Sequence, residues 1–406
     1  MQTFPHSFKG LFEHWQTLDT WLVAHRELWH QAPFYQPQPD WALKHLELSS
    51  ALQELTDQQC TFFETHPIEL TQHIQHALPS LGEAIWLSQT PVLEGPSMAL
   101  PEVKASGMPG RKRLQAGAFT GALLPLPHSI VDWCCGCGHL ARTLAPHVCH
   151  VVGLEWNPTL VEKGNKTAKK YRDAVELRHQ DVMSPSLHLP IDAHVVALHA
   201  CGDLHRHLLS HAANIKSKRI SLSPCCYHLS QHKQWQPLSQ RARTSSLIPV
   251  EFSTLRLAVQ ETVTAPQRVT LQRLQMTDWR LGFDELRRHL WPLEPISPLP
   301  SAPNHLVQGD FEGFCRWALD TIQRPLTNPC HWKTWEERGK ARAKTLRRYE
   351  LLRHLFRRPL EIWLVLDYVL LLEEQGYEVQ WGTFCERQLT PRNLLIDARL
   401  GKSETE

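Results

Sequence analysis

The chain has 406 residues, enough to bury a large core and to form two domains or more. Its 42% hydrophobic and 21% charged residues are those of an ordinary globular protein, which excludes a fibrous or wholly disordered chain. A net charge of only +2 excludes nucleic-acid binding through bulk charge, so any such binding needs a local basic patch.

Residues 1–100 read as a helical N-terminal domain. Phe8 to Trp29 places apolar residues at Leu11, Trp15, Leu18, Trp21 and Leu22, a 3.6-residue rhythm; Leu43–Phe63 and Ile68–Leu87 follow the same pattern. Residues 101–128 form a basic connector, carrying Lys104, Arg111, Lys112 and Arg113 between Gly and Pro, and are expected to be a linker or loop. From Ser129 the pattern becomes short apolar runs alternating with helical stretches. Strands are expected at Ser129–Asp132, Val148–Glu155, Val175–Asp181, Ala193–His199 and Arg219–Ser223. A helix over Asn157–Lys170 is capped by Asn157 with Pro158 at its first position. Residues 129–230 are thus the first part of an α/β domain with a mostly parallel sheet. Residues 231–358 are a helical insert. Residues 359–406 complete the sheet, with an apolar helix over Pro359–Gln375 ended by Gly376, then strands at Glu378–Cys385 and Asn393–Leu400. The closing hairpin puts one antiparallel strand in the sheet.

The eleven cysteines fall partly in tight clusters (Cys134, Cys135, Cys137; Cys225, Cys226), which a disulfide framework would not favour. The opening Met-Gln-Thr-Phe-Pro-His has no basic segment followed by an apolar one. Both point to reduced thiols and a cytoplasmic protein. The greasiest stretch, Ile362–Leu372, contains Asp367 and is too short to span a bilayer, so no membrane partner is expected.

Chemistry concentrates at the expected strand ends. The run Ser129-Ile-Val-Asp-Trp-Cys-Cys-Gly-Cys-Gly-His-Leu-Ala141 is an apolar strand, an acid, a small-residue turn and a helix start. Such a turn cradles a nucleoside-bearing cofactor, because Gly136 and Gly138 let the backbone approach it. Asp132 orders the turn and, through it, a charged amino-acid tail. Glu155 ends the second strand, where a carboxylate accepts from both ribose hydroxyls. Asp181 ends the third, suited to the adenine amine, with Val182 on the ring. Ala141 at the third glycine site fits a sulfonium nucleoside better than a dinucleotide pyrophosphate, and no P-loop Lys-Ser/Thr follows. The fourth and fifth strands run into Leu198-His-Ala-Cys-Gly-Asp-Leu204 and Ser221-Leu-Ser-Pro-Cys-Cys-Tyr-His228, the place for an acceptor.

These segments resemble the methyltransferase-like family of class I S-adenosylmethionine-dependent enzymes. That family includes the eukaryotic proteins named for a ribosomal-RNA adenine dimethylase domain and for a glutathione-transferase C-terminal domain. The resemblance rests on His-Ala-Cys-Gly-Asp-Leu, Pro-Cys-Cys-Tyr-His and the glycine turn. Leu389-Thr-Pro-Arg-Asn-Leu394 and Arg256-Leu-Ala-Val-Gln260 are also similar to the family's segments. It implies a Rossmann-like, seven-stranded sheet with an antiparallel last strand, a helical insert after strand five, and S-adenosylmethionine as cofactor. Cys134 stands where the family's turn has its first glycine, and its Cβ narrows the turn. Cofactor binding is assigned to Asp132, Cys134, Gly136, Gly138, Glu155, Asp181, Val182 and His199.

Methyl transfer from a sulfonium needs alignment and removal of one proton. His199, Asp203 and His228 are candidate bases or orienting groups, and Tyr227 a hydrogen-bond donor or stacking surface for a planar acceptor. The cysteines are read as small residues shaping a tight turn, with no metal. The alternatives are a thiolate nucleophile for C5 of a pyrimidine, from Cys201 or Cys225, and a zinc site drawing on Cys201, Cys225, Cys226 and His228. Lys333–Arg358 holds ten Lys/Arg against Glu336, Glu337 and Glu350, with Trp332, Trp335, Tyr349 and Phe356 interleaved. Such a helix can track phosphates and stack on bases, so the expected acceptor is RNA (rRNA or tRNA); Glu336–Lys340 pairing instead marks a solvated helix face. The alternatives are a ribosomal or translation-factor protein side chain, or a catalytically weak binding module.

Overall fold

The alternation from Ser129 onward builds one seven-stranded sheet in the order β3-β2-β1-β4-β5-β7-β6. Its strands are β1 (Ser129–Trp133), β2 (His150–Glu155), β3 (Val175–His179), β4 (His194–Cys201), β5 (Arg219–Cys225), β6 (Tyr377–Thr383) and β7 (Leu394–Leu400). Strands β1 to β5 pair in parallel, and β7 runs antiparallel to both β5 and β6. This is the expected class I methyltransferase sheet. It comes from a computed structural model that describes residues 10–34, 36–190, 192–260, 267–293, 298–326 and 330–401.

The chain divides into two compact units, and neither follows the expected domain boundaries. One comprises Met1–Ala24, Trp86–Val263 and Arg357–Glu406; the other His25–Ile85 and Thr264–Phe356. The expected N-terminal domain is therefore split. In the sheet unit, the helix Leu11–Ala24 packs on the helix Arg357–Glu374. Trp15 stacks near Trp363, whose indole donates to Asp19 at 2.9 Å. The Arg357–Glu374 helix buries almost all of its length, including Asp367, whose carboxylate accepts from the Leu238 and Ser239 amides. A buried carboxylate in a greasy helix is tolerable because its lone pairs are filled.

The basic connector is not a loop. Gly110–Ala122 is a helix with Gln115, Ala116, Phe119 and Thr120 buried, and Phe119 joins the core beside β1. At the far end of the sheet, Arg219 donates to both Asp397 oxygens and to the Leu123 and Pro125 carbonyls, tying β5, β7 and the end of this helix together.

In the second unit, Lys333–Arg358 is not one helix. Trp332–His354 ends before Phe356, and Arg357 begins the next helix. Trp332–His354 crosses Gln267–Leu290 at a pair of glycines: a Cβ at Gly339 would overlap the Asp278 carbonyl and the backbone of Gly282. Trp279, Phe283, Phe311, Phe314 and Trp335 form the core around that crossing.

Candidate cofactor and acceptor site

The glycine turn is shaped by left-handed backbone at three residues. Gly136 and Gly138 have φ of +57° and +72°, and Cys134 has +59°. Such a φ costs a residue with a Cβ about 1–2 kcal/mol. Cys134 thus occupies a glycine-favouring conformation, and the narrowing expected from its Cβ takes the form of backbone strain. A Cβ built on Gly136 would meet nothing within 4 Å, so open space lies above the turn.

Glu155 braces this turn as well as facing it. One carboxylate oxygen accepts from the Gly136 amide at 2.9 Å and the other from the Asn157 amide at 3.0 Å. Each oxygen keeps a lone pair for a further donor. Asp132, fully buried under the turn, accepts from the Ala141 amide at 3.0 Å. Burial, and then the nearby Glu155, push its carboxyl up to about 7, although the Ala141 amide pulls the other way.

A cleft of about 320 Å³ opens beside the turn, lined by Cys134, Glu155, Trp156, Asp181, Val182 and Leu204 among others. Four residues expected from sequence, Cys134, Glu155, Asp181 and Val182, thus meet on one cavity. Asp181 accepts from the Met183 amide through one oxygen, which leaves the other for a ligand. Trp156 is 70% exposed and lines the cleft beside Glu155. Sequence reasoning missed it; an exposed Trp directly after a strand-end acid is the signal that could have found it. The cleft has the size and the acid–apolar lining of a nucleoside site, and the donor set fits the nucleoside end of S-adenosylmethionine: two carboxylates for hydroxyl and amine donors, apolar walls for a ring.

The acceptor-side residues divide. His199 (φ +66°) and Cys226 (φ +47°) are held left-handed at the ends of β4 and β5, and the β4–β5 register shifts between Leu198 and Cys201. Burial lowers the His199 pKa to about 4, so the imidazole is neutral at physiological pH and able to accept a proton. His228 is half-buried, its Nδ1 without a hydrogen-bond partner, and burial lowers its pKa too. Cys201 and Cys225 lie opposite each other in the β4–β5 register with their sulfurs 3.4 Å apart, and the Cys226 sulfur lies within 4.8 Å of both.

Two expected residues are placed elsewhere. Tyr227 is only 1% exposed; its ring packs against those of Tyr368 and His205, and its hydroxyl donates to Glu361 at 3.5 Å. A side chain so enclosed is core, and no planar acceptor can stack on it. Asp203 accepts from the Gln231 amide at 2.8 Å and lines a separate cavity of about 630 Å³ with Arg206, His207 and Phe252. It fastens the loop after β5 and is absent from the lining of the cleft beside the glycine turn.

The basic helix is largely spent within its own unit. Arg342 pairs with Asp284 and Glu285, Arg347 with Glu64, Arg353 with Glu350, and Lys340 with Glu336. Arg348 donates to the Leu55 carbonyl. Trp335, Tyr349 and Phe356 are buried, so these aromatics pack the unit rather than present faces to bases. Other cations gather near the acceptor end of the sheet. Arg392, Lys112 and Arg111 all depress the His199 pKa, and Arg256 and Arg392 that of His228. Among the described residues no helix is long and apolar enough to cross a membrane.

Residues 125–233 match the model of a family described as a methyltransferase domain. None of the curated proteins matches the chain. Among solved structures, the chain is similar to the magnesium protoporphyrin IX methyltransferase of Synechocystis PCC 6803, crystallised with SAH, at 21% identity and a TM-score of 0.23. That match covers 27% of this chain and 53% of the other. An rRNA methylase of Streptococcus thermophilus matches at 12% identity and a TM-score of 0.24, over 29% of this chain and 71% of the other. A tRNA (uracil-54, C5)-methyltransferase of Pyrococcus abyssi, in complex with S-adenosyl-L-homocysteine, matches at 18% and 0.23, over 28% and 29%. The chain thus spans about half the length of the first of these and less of the last. Likenesses at these scores say nothing about substrate. The seven-stranded sheet has the strand order of a class I methyltransferase, residues 125–233 match a methyltransferase domain, and S-adenosylmethionine is the methyl donor that such a domain uses.

Proposed function

We propose that the chain is an S-adenosylmethionine-dependent methyltransferase whose acceptor is RNA. The observation that carries the donor half is the cleft in which Glu155 and Asp181 meet beside the open turn at Gly136. Glu155 receives the ribose hydroxyls and Asp181 the adenine amine, with Val182 against the ring. The donor supplies an electrophilic methyl group when bound. His199, neutral and at the acceptor end, takes the proton released as the acceptor is methylated.

The acceptor half rests on the cations Arg111, Lys112, Arg256 and Arg392 around His199 and His228. A polyanion is drawn to such a rim, and an acceptor base enters between them. Incubating the purified chain and labelled donor with RNA and protein fractions, from cells lacking the gene, tests the assignment. Label in RNA is the expected result; label confined to protein assigns a side-chain acceptor instead.

A further inference from the structure

We propose that Cys201, Cys225 and Cys226 bind one Zn(II) through three thiolates at the carboxyl ends of β4 and β5. Four observations carry this. The three sulfurs lie within 4.8 Å of one another, the closest pair at 3.4 Å. A tetrahedral zinc with bonds of about 2.3 Å needs its sulfurs about 3.8 Å apart, so small side-chain adjustments close the set. The backbone is bent to bring them together: Cys226 is left-handed, and the shift in β4–β5 register just before Cys201 sets it opposite Cys225. Strain of this kind persists where the surroundings enforce it, and it clusters at ligand sites.

The cluster is half open. Cys225 is buried, whereas Cys201 and Cys226 are partly exposed, so an ion has a route in and a fourth coordination position remains for water. The electrostatics suit an anionic centre. Three thiolates and Zn(II) sum to one negative charge, and the Arg392 guanidinium lies near enough to Cys226 to offset it. Binding forms three sulfur–zinc bonds and releases the three thiol protons to solvent, with no change in oxidation state. Zinc rather than a hard cation follows from the all-sulfur donor set.

The inference does not depend on the acceptor or the donor, because metal content is read without either. The full chain, freed of metal by chelator under reducing conditions, is titrated with zinc, and separately with cobalt as a spectroscopic substitute. One equivalent of zinc bound per chain, and a thiolate-to-cobalt charge-transfer band of equal stoichiometry, are expected. Cys225→Ser and Cys226→Ser lose stoichiometric binding, while Cys330→Ser, outside the cluster, keeps it. The cobalt spectrum of the unmodified chain needs no variant and decides the matter if the serine chains do not fold. Absence of the band, zinc retained when all three cysteines are replaced, or a reduced chain that binds nothing and simply oxidises to a Cys201–Cys225 disulfide would each overturn the site.

Discussion

Glu155 braces the glycine turn and is proposed to hold the donor's ribose, and its replacement is read by stability for the first and by affinity for the second. In Glu155→Ala the Gly136 and Asn157 amides lose their acceptor, which costs about 1–3 kcal/mol of stability. Donor affinity falls with it, by calorimetry, at least about tenfold, the worth of one charge-assisted hydrogen bond. A variant that binds the donor normally refutes the ribose role. Cys134→Gly acts in the opposite sense. Relief of left-handed strain, about 1–2 kcal/mol, outweighs the added chain entropy of glycine, about 0.5–1 kcal/mol. Chemical denaturation is expected to show unchanged or slightly higher stability; clear destabilisation would mean that the Cys134 side chain supplies packing. His199 gives a pH signature. Its folded pKa of about 4 lies below the ordinary 6.5, so between those values the unfolded chain takes up a proton that the native one refuses. Its contribution to stability is present above pH 6.5 and is lost as pH falls toward 4. As the base, it keeps kcat/KM flat through pH 6.5, with the acid limb near 4. A limb at 6.5 assigns the base elsewhere. The acids at the strand ends were legible because a period-2 apolar run followed by an acid and a turn has few other readings. The burial of Tyr227 was not: a Tyr next to two cysteines at a strand end looks the same in sequence whether it faces the cleft or the core, and only the Arg357–Glu374 helix, far off in the chain, decides it.

At the scale of elements, the strand–helix alternation was readable nearly to the residue, and so were Asn157 as cap and Gly376 as helix stop. The helix Gly110–Ala122 was not, for a physical reason. It contains Gly110, Gly117 and Gly121, each unfavourable in a helix, and follows a Gly/Pro-rich stretch. Gly117 and Gly121 serve close approach. A Cβ at Gly117 would collide with Ala99, and one at Gly121 with Pro96, so tertiary packing overrides local propensity. The same logic governs the crossing at Gly339. Gly339→Ala is expected to destabilise by about 1–3 kcal/mol despite the better helix propensity of alanine, because the obstructing atoms are backbone. An increase in melting temperature would show that the two helices separate at no cost.

For the whole molecule, sequence gave no sign that the N-terminal helices belong to two units, since domain membership depends on contacts between distant segments. The division changes how the basic composition is read. The cations of Trp332–His354 are mostly paired with acids and carbonyls of their own unit, whereas Lys112 is exposed and near the acceptor end. Lys112→Glu is expected to weaken RNA binding at all sequences and to reduce the slope of log affinity against log salt by about one or more. Arg347→Ala is expected to leave that slope unchanged. The reverse ranking would return RNA recognition to the long basic helix.

The cleft of Cys134, Glu155, Asp181 and Val182 is proposed to hold the donor's nucleoside, and calorimetric titration of the unmodified chain with S-adenosylmethionine and S-adenosylhomocysteine tests this most directly. One site per chain for each, with affinity sharply reduced in Asp181→Ala, is the predicted result. No heat with either ligand from a cooperatively folded chain, or binding indifferent to Asp181, would contradict it.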